Sequence, residues 1–366
     1  MDLKVEGVNV EEGLGWGNSL EVPSVQEIAQ NVSEFVPEKY VQEQNDRPIE
    51  SVLSHDEISE LPVIDFSLLV NGDEDELNKL DYACKEWGFL QIINHGVAED
   101  VIRNMKAATA SFFDLPVDEK NKYAMGDGLE GYGHAFVVSE EQKLDWGDIM
   151  FFITRPEEQR NMKKWPITLP GFEEAVEDYS TGMLRVTEEL MAQLSLLLGM
   201  EEKGGLEKQH VLMRQSIRIN YYPPCPKPEL VLGASPHSDG GSITLLLQSD
   251  DVVGLQIKHK GRWIPIKPIP NAFVINIADV LESWSNGLYK SIEHRAVANS
   301  KIARMSIATF IIPADEAEIR PVESMIQDRP RMYKDNIKYL DYLRHFFGMK
   351  SSGKVHTNFL KLESEY

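Results

Sequence analysis

Apolar positions along this chain change period several times. From Met1 to about Leu61 they are sparse and weakly patterned, except in VPSVQEIAQNVSEF, whose spacing predicts a short surface helix. LPVIDF then reads as a buried strand, Asp73 to Trp87 as a helix stopped at Gly88, and FLQIINHGV as a further strand. Helical spacing returns from about Glu99 to Asp114 and, at greatest length, from Gly171 to Met200. There Met183, Leu184, Val186, Leu190, Met191, Leu194, Leu197 and Leu198 share one broad face, which ordinary core packing explains.

From Gln215 the texture shortens. SIRINYY, ITLLLQ, GLQIKH, RWIPIKP, AFVINI, SIEHRAVAN and MSIATFII are brief apolar or alternating runs separated by Gly, Pro, Asn and Asp. Such spacing predicts a sandwich or barrel of strands. From Met332 to Phe347 a helical pattern resumes, with Tyr333, Ile337, Leu340, Leu343 and Phe347 on one face. The organisation expected is an arm over 1–60, a leading region of helices and strands over 61–170, a scaffold helix and linker over 171–210, a β core over 211–315 and a helical lid over 316–366.

Composition narrows the partners more than the fold. With 366 residues, 42% of them hydrophobic, the chain can bury a sizeable core. Its 37 basic and 59 acidic residues give a net charge of −22, which repels nucleic-acid phosphates and anionic membrane surfaces. Cys84 and Cys225 form no paired C-x-x-C spacing, so neither a thiolate metal site nor a redox pair is expected. The acidic opening MDLKVEGVNVEE lacks the apolar core of a secretion signal, and no apolar run approaches the ~20 residues of a membrane span, so the expected setting is cytoplasmic.

The sharpest chemical feature is His237-Ser238-Asp239. Residues two apart on an extended segment share a face, so an imidazole nitrogen and a carboxylate oxygen can converge on a cation. Alone the pattern is weak, and His55-Asp56-Glu57 repeats it in a polar stretch that reads as a solvated loop. His294 is the best third ligand, because it lies in a strand-like segment 55 positions after Asp239, far enough to return on a neighbouring strand. His95, His210, His259, His345 and His356 lack comparable settings. Two histidines and one carboxylate on one face of an ion leave positions open, the facial arrangement of non-haem Fe(II) oxygenases.

Further same-face pairs lie in the β region. Arg304 and Ser306 offer a guanidinium fork and a hydroxyl to a carboxylate, while Asn220 and Tyr222 could add neutral donors. Each pair alone has a structural explanation; together they point to an anionic co-substrate.

NYYPPCP, PHSDGGSITLLLQ, GLQIKHKGRWIPIKPIPNAFVINIAD, SNGLYKSIEHRAVAN and ARMSIATF, in this order, resemble the plant 2-oxoglutarate- and Fe(II)-dependent dioxygenases. LPVIDF and ACKEWGFLQIINHGV resemble that family's leading region, and the likeness runs from about Val22 to the C-terminus. VPSVQEIAQ and EGYGHAFVVSEEQKLDWGD suggest the senescence-related-gene-type, norcoclaurine-synthase-like and opiate-demethylase group. The resemblance implies an α+β chain whose core is a double-stranded β-helix, or jelly roll, flanked by the N-terminal helical and strand region and a C-terminal helix. It implies Fe(II) on His237, Asp239 and His294, the distal carboxylate of 2-oxoglutarate on Arg304 and Ser306, and help from Asn220 and Tyr222. It also implies O2 as co-substrate, ascorbate as support, and a monomer acting on a small molecule. One departure is Ala278, where relatives usually carry glycine.

The activity so implied is hydroxylation or O- or N-demethylation of an aromatic or polycyclic specialised metabolite, with 2-oxoglutarate decarboxylated to succinate. Ile149 and Phe151, which alternate on one strand, and Phe310 and Ile312 are expected to wall the substrate pocket, with His134 in a glycine-flanked segment as a further contact. Ordinary packing accounts for the four apolar residues equally well, and a plain loop histidine is the safer reading of His134. Rival readings are a non-oxidative condensing enzyme of the norcoclaurine-synthase-like kind and a metal-binding jelly roll without catalysis.

Overall fold

The computed structural model describes residues 20, 22–31, 35–48, 61–126, 128–134, 137, 141–201, 204–327, 329–348 and 353–363. The opening dodecapeptide and the His55-Asp56-Glu57 stretch lie outside the described residues. Among the described residues twelve strands build the core: β1 (Val63–Asp65), β2 (Phe89–Ile93), β3 (Gly131–Gly133), β4 (Asp148–Arg155), β5 (Arg214–Tyr222), β6 (Ala234–His237), β7 (Ile243–Gln248), β8 (Leu255–His259), β9 (Arg262–Pro265), β10 (Phe273–Ile277), β11 (His294–Ala296) and β12 (Arg304–Ile312). Eight form a large sheet in the order β1-β2-β10-β7-β12-β5-β4-β3, and four form a smaller one in the order β6-β11-β8-β9. Their inward side chains meet in the double-stranded β-helix arrangement that the sequence implied.

The longest helix, Phe172–Leu197, buries Met183, Val186, Leu190, Met191 and Leu194, while Leu184 and Leu197 are only half-buried and Leu196 points to solvent. Its apolar face packs in one cluster with Met150 and Phe152 of β4, Ile217 and Ile219 of β5 and Ile307 of β12. These are the strand positions alternate to those that face the cavity, so one period-2 pattern supplies both layers. At roughly 1.5–3 kcal/mol for each large apolar side chain, this packing holds the sheet rigid from behind.

Several expected elements shift. The helix near the N-terminus, Val25–Asn31, is anchored rather than merely lying on the surface: the Asp148 carboxylate at the start of β4 accepts from Ser24 Oγ at 2.7 Å, Val25 N at 2.8 Å and Gln26 N at 2.9 Å. This caps the helix as an N-terminal acidic side chain would. The helix after Asp73 runs over Glu74–Tyr82 and widens to a π turn over Ala83–Trp87, and Gly88 follows in the left-handed conformation. A Cβ on Gly88 would lie 2.1 Å from Lys290 O, so only glycine fits there.

The C-terminal helix begins at Tyr339, not near Met332. Asn336 has a φ of 59°, which breaks a right-handed helix, and Ile337–Lys338 instead pair with Glu318–Ile319. Ala278 has a φ of −108°, open to any residue, so its methyl causes no backbone strain. Cys84 and Cys225 are both free and buried. Among the described residues no helix is long and apolar enough to cross a membrane.

Candidate active site

The two sheets bring the sequence's scattered polar pairs to one cavity. His237 and His294 sit directly opposite each other on antiparallel β6 and β11, their ring centroids 4.3 Å apart. Asp239 follows two residues after His237, and its Oδ1 lies 3.6 Å from His237 Nε2 and 3.7 Å from His294 Nε2. The donor atoms of all three lie within 4.8 Å of one another, close enough to share one cation.

Neighbouring bonds aim these atoms. His237 Nδ1 donates to Ser235 O at 2.7 Å and His294 Nδ1 to Ile292 O at 3.2 Å, which leaves each Nε2 lone pair facing the other ligands. Asp239 Oδ2 accepts from Thr244 Oγ1 at 2.7 Å and Asn276 Nδ2 at 2.9 Å, so Oδ1 alone turns to the histidines. Burial works against the Asp239 charge, but the neighbouring His294 and these bonds outweigh it and hold its carboxyl below the usual range. Burial, reinforced by the neighbouring His294, pushes the His237 imidazole well below its ordinary value and keeps it neutral, as a ligand must be. Nitrogen, nitrogen and a single oriented oxygen fit a divalent iron ion with open positions.

Beside this cluster the register stacks a receptor. Tyr222 pairs with Arg304, and Asn220 with Ser306, across β5 and β12. Asn220 Nδ2 donates to Ser306 Oγ at 3.3 Å, and Arg304 Nη2 donates to Gln248 Oε1 at 2.9 Å. Arg304 is 2% exposed and its Nε finds no acceptor, a buried cation with donor capacity left over for an anion. The guanidinium lies 5.3 Å from the centre of the Tyr222 ring. That ring is slotted between two glycines: a Cβ on Gly147 or Gly233 would come within 2.8 or 2.7 Å of Tyr222 Cδ1.

The five residues expected to touch substrate divide. Phe310 lines the cavity, with Phe89, Leu246, Leu255 and Ala308 giving it an apolar wall. Ile149 and Phe151 pair with Asn220 and Arg218, so they share that face of the sheet without lining the cavity itself. Ile312 is also outside the lining and packs against the main core. His134 is not in the cavity: its ring, 6% exposed, stands 3.3 Å from Asp145 O and 3.7 Å from Asp148 Oδ1, beside the anchor of the N-terminal helix.

Four features escaped the sequence reading. Thr244 and Asn276 orient Asp239 from two other strands, and no local spacing signals that. Arg218, within the strand-like SIRINYY, lines the cavity, and its i, i+2, i+4 relation to Asn220 and Tyr222 was the available signal. His210 is fully buried rather than in polar surroundings, as is His356. His356 Nε2 lies 2.9 Å from Asp279 Oδ2, which also takes bonds from Tyr342 at 2.7 Å and from Ser238, between the two ligands, at 3.1 Å.

The fold and the site define an oxygenase of the non-haem iron class, and comparison with known proteins agrees. The model of the 2OG-Fe(II) oxygenase superfamily matches residues 213–313, and that of the non-haem dioxygenase N-terminal region in morphine synthesis matches residues 61–168. Thebaine 6-O-demethylase of Papaver somniferum is 40% identical over 92% of this chain and 95% of its own length. S-norcoclaurine synthase 1 of Coptis japonica is 43% identical over 95% of this chain and 98% of its own. The crystal structure of JOX2 in complex with 2OG, Fe and JA superposes with a TM-score of 0.86 at 32% identity, covering 95% of this chain and all of that one. The chain therefore belongs to the 2OG-Fe(II) oxygenase family, an oxidoreductase family that uses iron and 2-oxoglutarate on small molecules, and within it resembles plant enzymes of specialised metabolism.

Proposed function

We propose that this protein couples oxidative decarboxylation of 2-oxoglutarate to hydroxylation, or O- or N-demethylation, of an aromatic or polycyclic plant metabolite. His237, Asp239 and His294 would hold Fe(II), Arg304 and Ser306 the distal carboxylate of 2-oxoglutarate, and Asn220 and Tyr222 would line its path. The observation that carries this is the oriented His-Asp-His cluster opening onto the same cavity as the buried Arg304 guanidinium, whose Nε has no acceptor.

Iron bound there with 2-oxoglutarate supplies the oxidant from O2, releasing succinate and carbon dioxide. The protein's own contribution is placement. Thr244 and Asn276 fix which Asp239 oxygen faces the ion. Arg304 neutralises the co-substrate in a pocket where burial strengthens the pairing. Phe89, Leu246, Ala308 and Phe310 exclude water and hold a carbon of the substrate against the open face. Hydroxylation at an O-methyl or N-methyl carbon releases formaldehyde, so both outcomes need only a different substrate pose.

Incubation with plant extract, Fe(II), ascorbate and 2-oxoglutarate tests this directly. Succinate should form together with a product that has gained one oxygen or lost one methylene unit, and a His237→Ala variant should form neither. A non-oxidative condensation has some support in the likeness to S-norcoclaurine synthase 1. Turnover without oxygen and 2-oxoglutarate would favour that alternative.

A further inference from the structure

Asp279 takes no part in the cavity, yet four side chains donate to its carboxylate. The residue is 1% exposed and opens the short helix Asp279–Trp284. Its Oδ1 accepts from Ser291 Oγ at 2.6 Å, and its Oδ2 accepts from Tyr342 Oη at 2.7 Å, His356 Nε2 at 2.9 Å and Ser238 Oγ at 3.1 Å. None of these five residues lines the cavity. Tyr342 and His356 come from the C-terminal segment, the first from the helix Tyr339–Gly348 and the second from the turn Val355–Leu360. Both lie beyond residues 213–313, the span matched by the oxygenase superfamily.

The network closes on the residue between two ligands. Alternation turns His237 and Asp239 inward and leaves Ser238, fully buried, to the rear. There its hydroxyl donates to Asp279 and stands 3.3 Å from His356 Nε2. The backbone is tied at the same place, with Asp279 N donating to Asp239 O and Val280 N to Gly241 O, each at 2.9 Å. Phe346 of the C-terminal helix covers the next residue, since a Cβ on Gly240 would stand 3.4 Å from its ring, and that ring meets His356 edge-on at 4.7 Å. His356 is itself fixed: Nδ1 lies 3.1 Å from Gly353 O, and the nearby Lys354 donates to Glu282 and to Ser291 O. For either ligand to swing away from the cavity Ser238 must leave this cage, which strips donors from a buried carboxylate.

We propose that His356 is a positioning residue for the metal centre: it holds Ser238 and Asp279 from behind, so that the donors on either side of Ser238 stay preset and metal binding is coupled to docking of the C-terminal segment. This rests on His237, Asp239 and His294 being the metal ligands. Removing a support from behind a ligand weakens the metal as well as the fold, by about tenfold at the low end of what such partners contribute. Coupling between two equilibria is reciprocal, so a bound ion favours the docked segment by the same factor.

The test titrates Mn(II) into the full chain by calorimetry. His356→Ala should bind the ion about tenfold more weakly than wild type, and His356→Gln, whose amide nitrogen can still donate to Asp279, should recover most of that loss. Hydrogen exchange adds a readout that mere fold support would not move. Saturating Mn(II) should slow exchange of the wild type over 353–360 by about the same factor, and by more than in the helix Glu99–Phe113, which gives no residue to the network. A folded His356→Ala that binds Mn(II) within about twofold of wild type would overturn the inference. So would a 353–360 segment that Mn(II) slows no more than the Glu99–Phe113 helix, a result that needs only the wild type and decides the matter if the alanine variant does not fold. Absence of Mn(II) binding by the wild type would instead remove the metal assignment itself, and the inference with it.

Discussion

Gly254→Ala probes the proposed co-substrate receptor without replacing any residue that makes it. A Cβ at this position would stand 2.5 Å from Arg304 Cδ and 2.7 Å from Nε, with Val297 O at 3.3 Å. Ordinary carbon contacts begin near 3.5 Å, so something must move by about 1 Å. The backbone at Gly254 cannot easily retreat, because its carbonyl accepts from Val297 N at 2.8 Å. Arg304 must therefore yield, and it is clamped between Gln248 and the Tyr222 ring. Displacement by this much converts a two-pronged grip on a carboxylate into at best a single contact. The loss of one charge-assisted hydrogen bond, about 1.5–3 kcal/mol, corresponds to a roughly 10- to 150-fold weaker affinity for 2-oxoglutarate. Mn(II) binding in the absence of 2-oxoglutarate should change far less, since the three atoms nearest the new methyl belong to Arg304 and Val297. Calorimetric titration of both ligands measures the two effects. A 2-oxoglutarate affinity within twofold of wild type would refute the placement of the carboxylate on Arg304.

Three further outcomes follow from buried polar contacts. Thr244→Val keeps the shape but removes the 2.7 Å bond to Asp239 Oδ2, and Mn(II) affinity measured by calorimetry should fall about 10- to 100-fold. His210 is buried, its Nδ1 donating to Leu206 O at 2.9 Å and its Nε2 meeting Ser242 Oγ at 2.8 Å; burial pushes it from 6.5 down to about 4. The unfolded chain therefore takes up this proton first, so urea-unfolding stability should drop as pH falls from about 6.5 to 4. That single site contributes about 3 kcal/mol, and the slope should flatten in His210→Gln. His356→Ala should cost about 1–3 kcal/mol in the same assay, because it strips a partner from the fully buried Asp279 carboxylate.

The parts of the site that were legible in the sequence are those carried by strand alternation. His237 with Asp239, Arg304 with Ser306, and Asn220 with Tyr222 are each two apart, and a period of two maps directly onto one face of a strand. His294 was reachable because it sits in a strand-like run, and it lands opposite His237. What could not be read was pairing across strands: nothing local links Thr244 or Asn276 to Asp239. The same holds for His356, which reaches Asp279 and Ser238 from 118 residues beyond the latter. His134 misled because flanking glycines suggest an open loop, whereas its ring is held by Asp145 and Asp148. At the C-terminus the helical spacing from Met332 was real as a pattern, but one left-handed residue, Asn336, delayed the helix to Tyr339.

The central claim is that one ferrous ion is held by two imidazoles and one carboxylate beside an arginine-bound keto acid. Anaerobic equilibrium dialysis of Fe(II) in the presence of 2-oxoglutarate tests it most directly. One ion should be retained per wild-type chain and essentially none by His237→Ala or His294→Ala variants that still fold. Full retention of iron by either folded variant would contradict it.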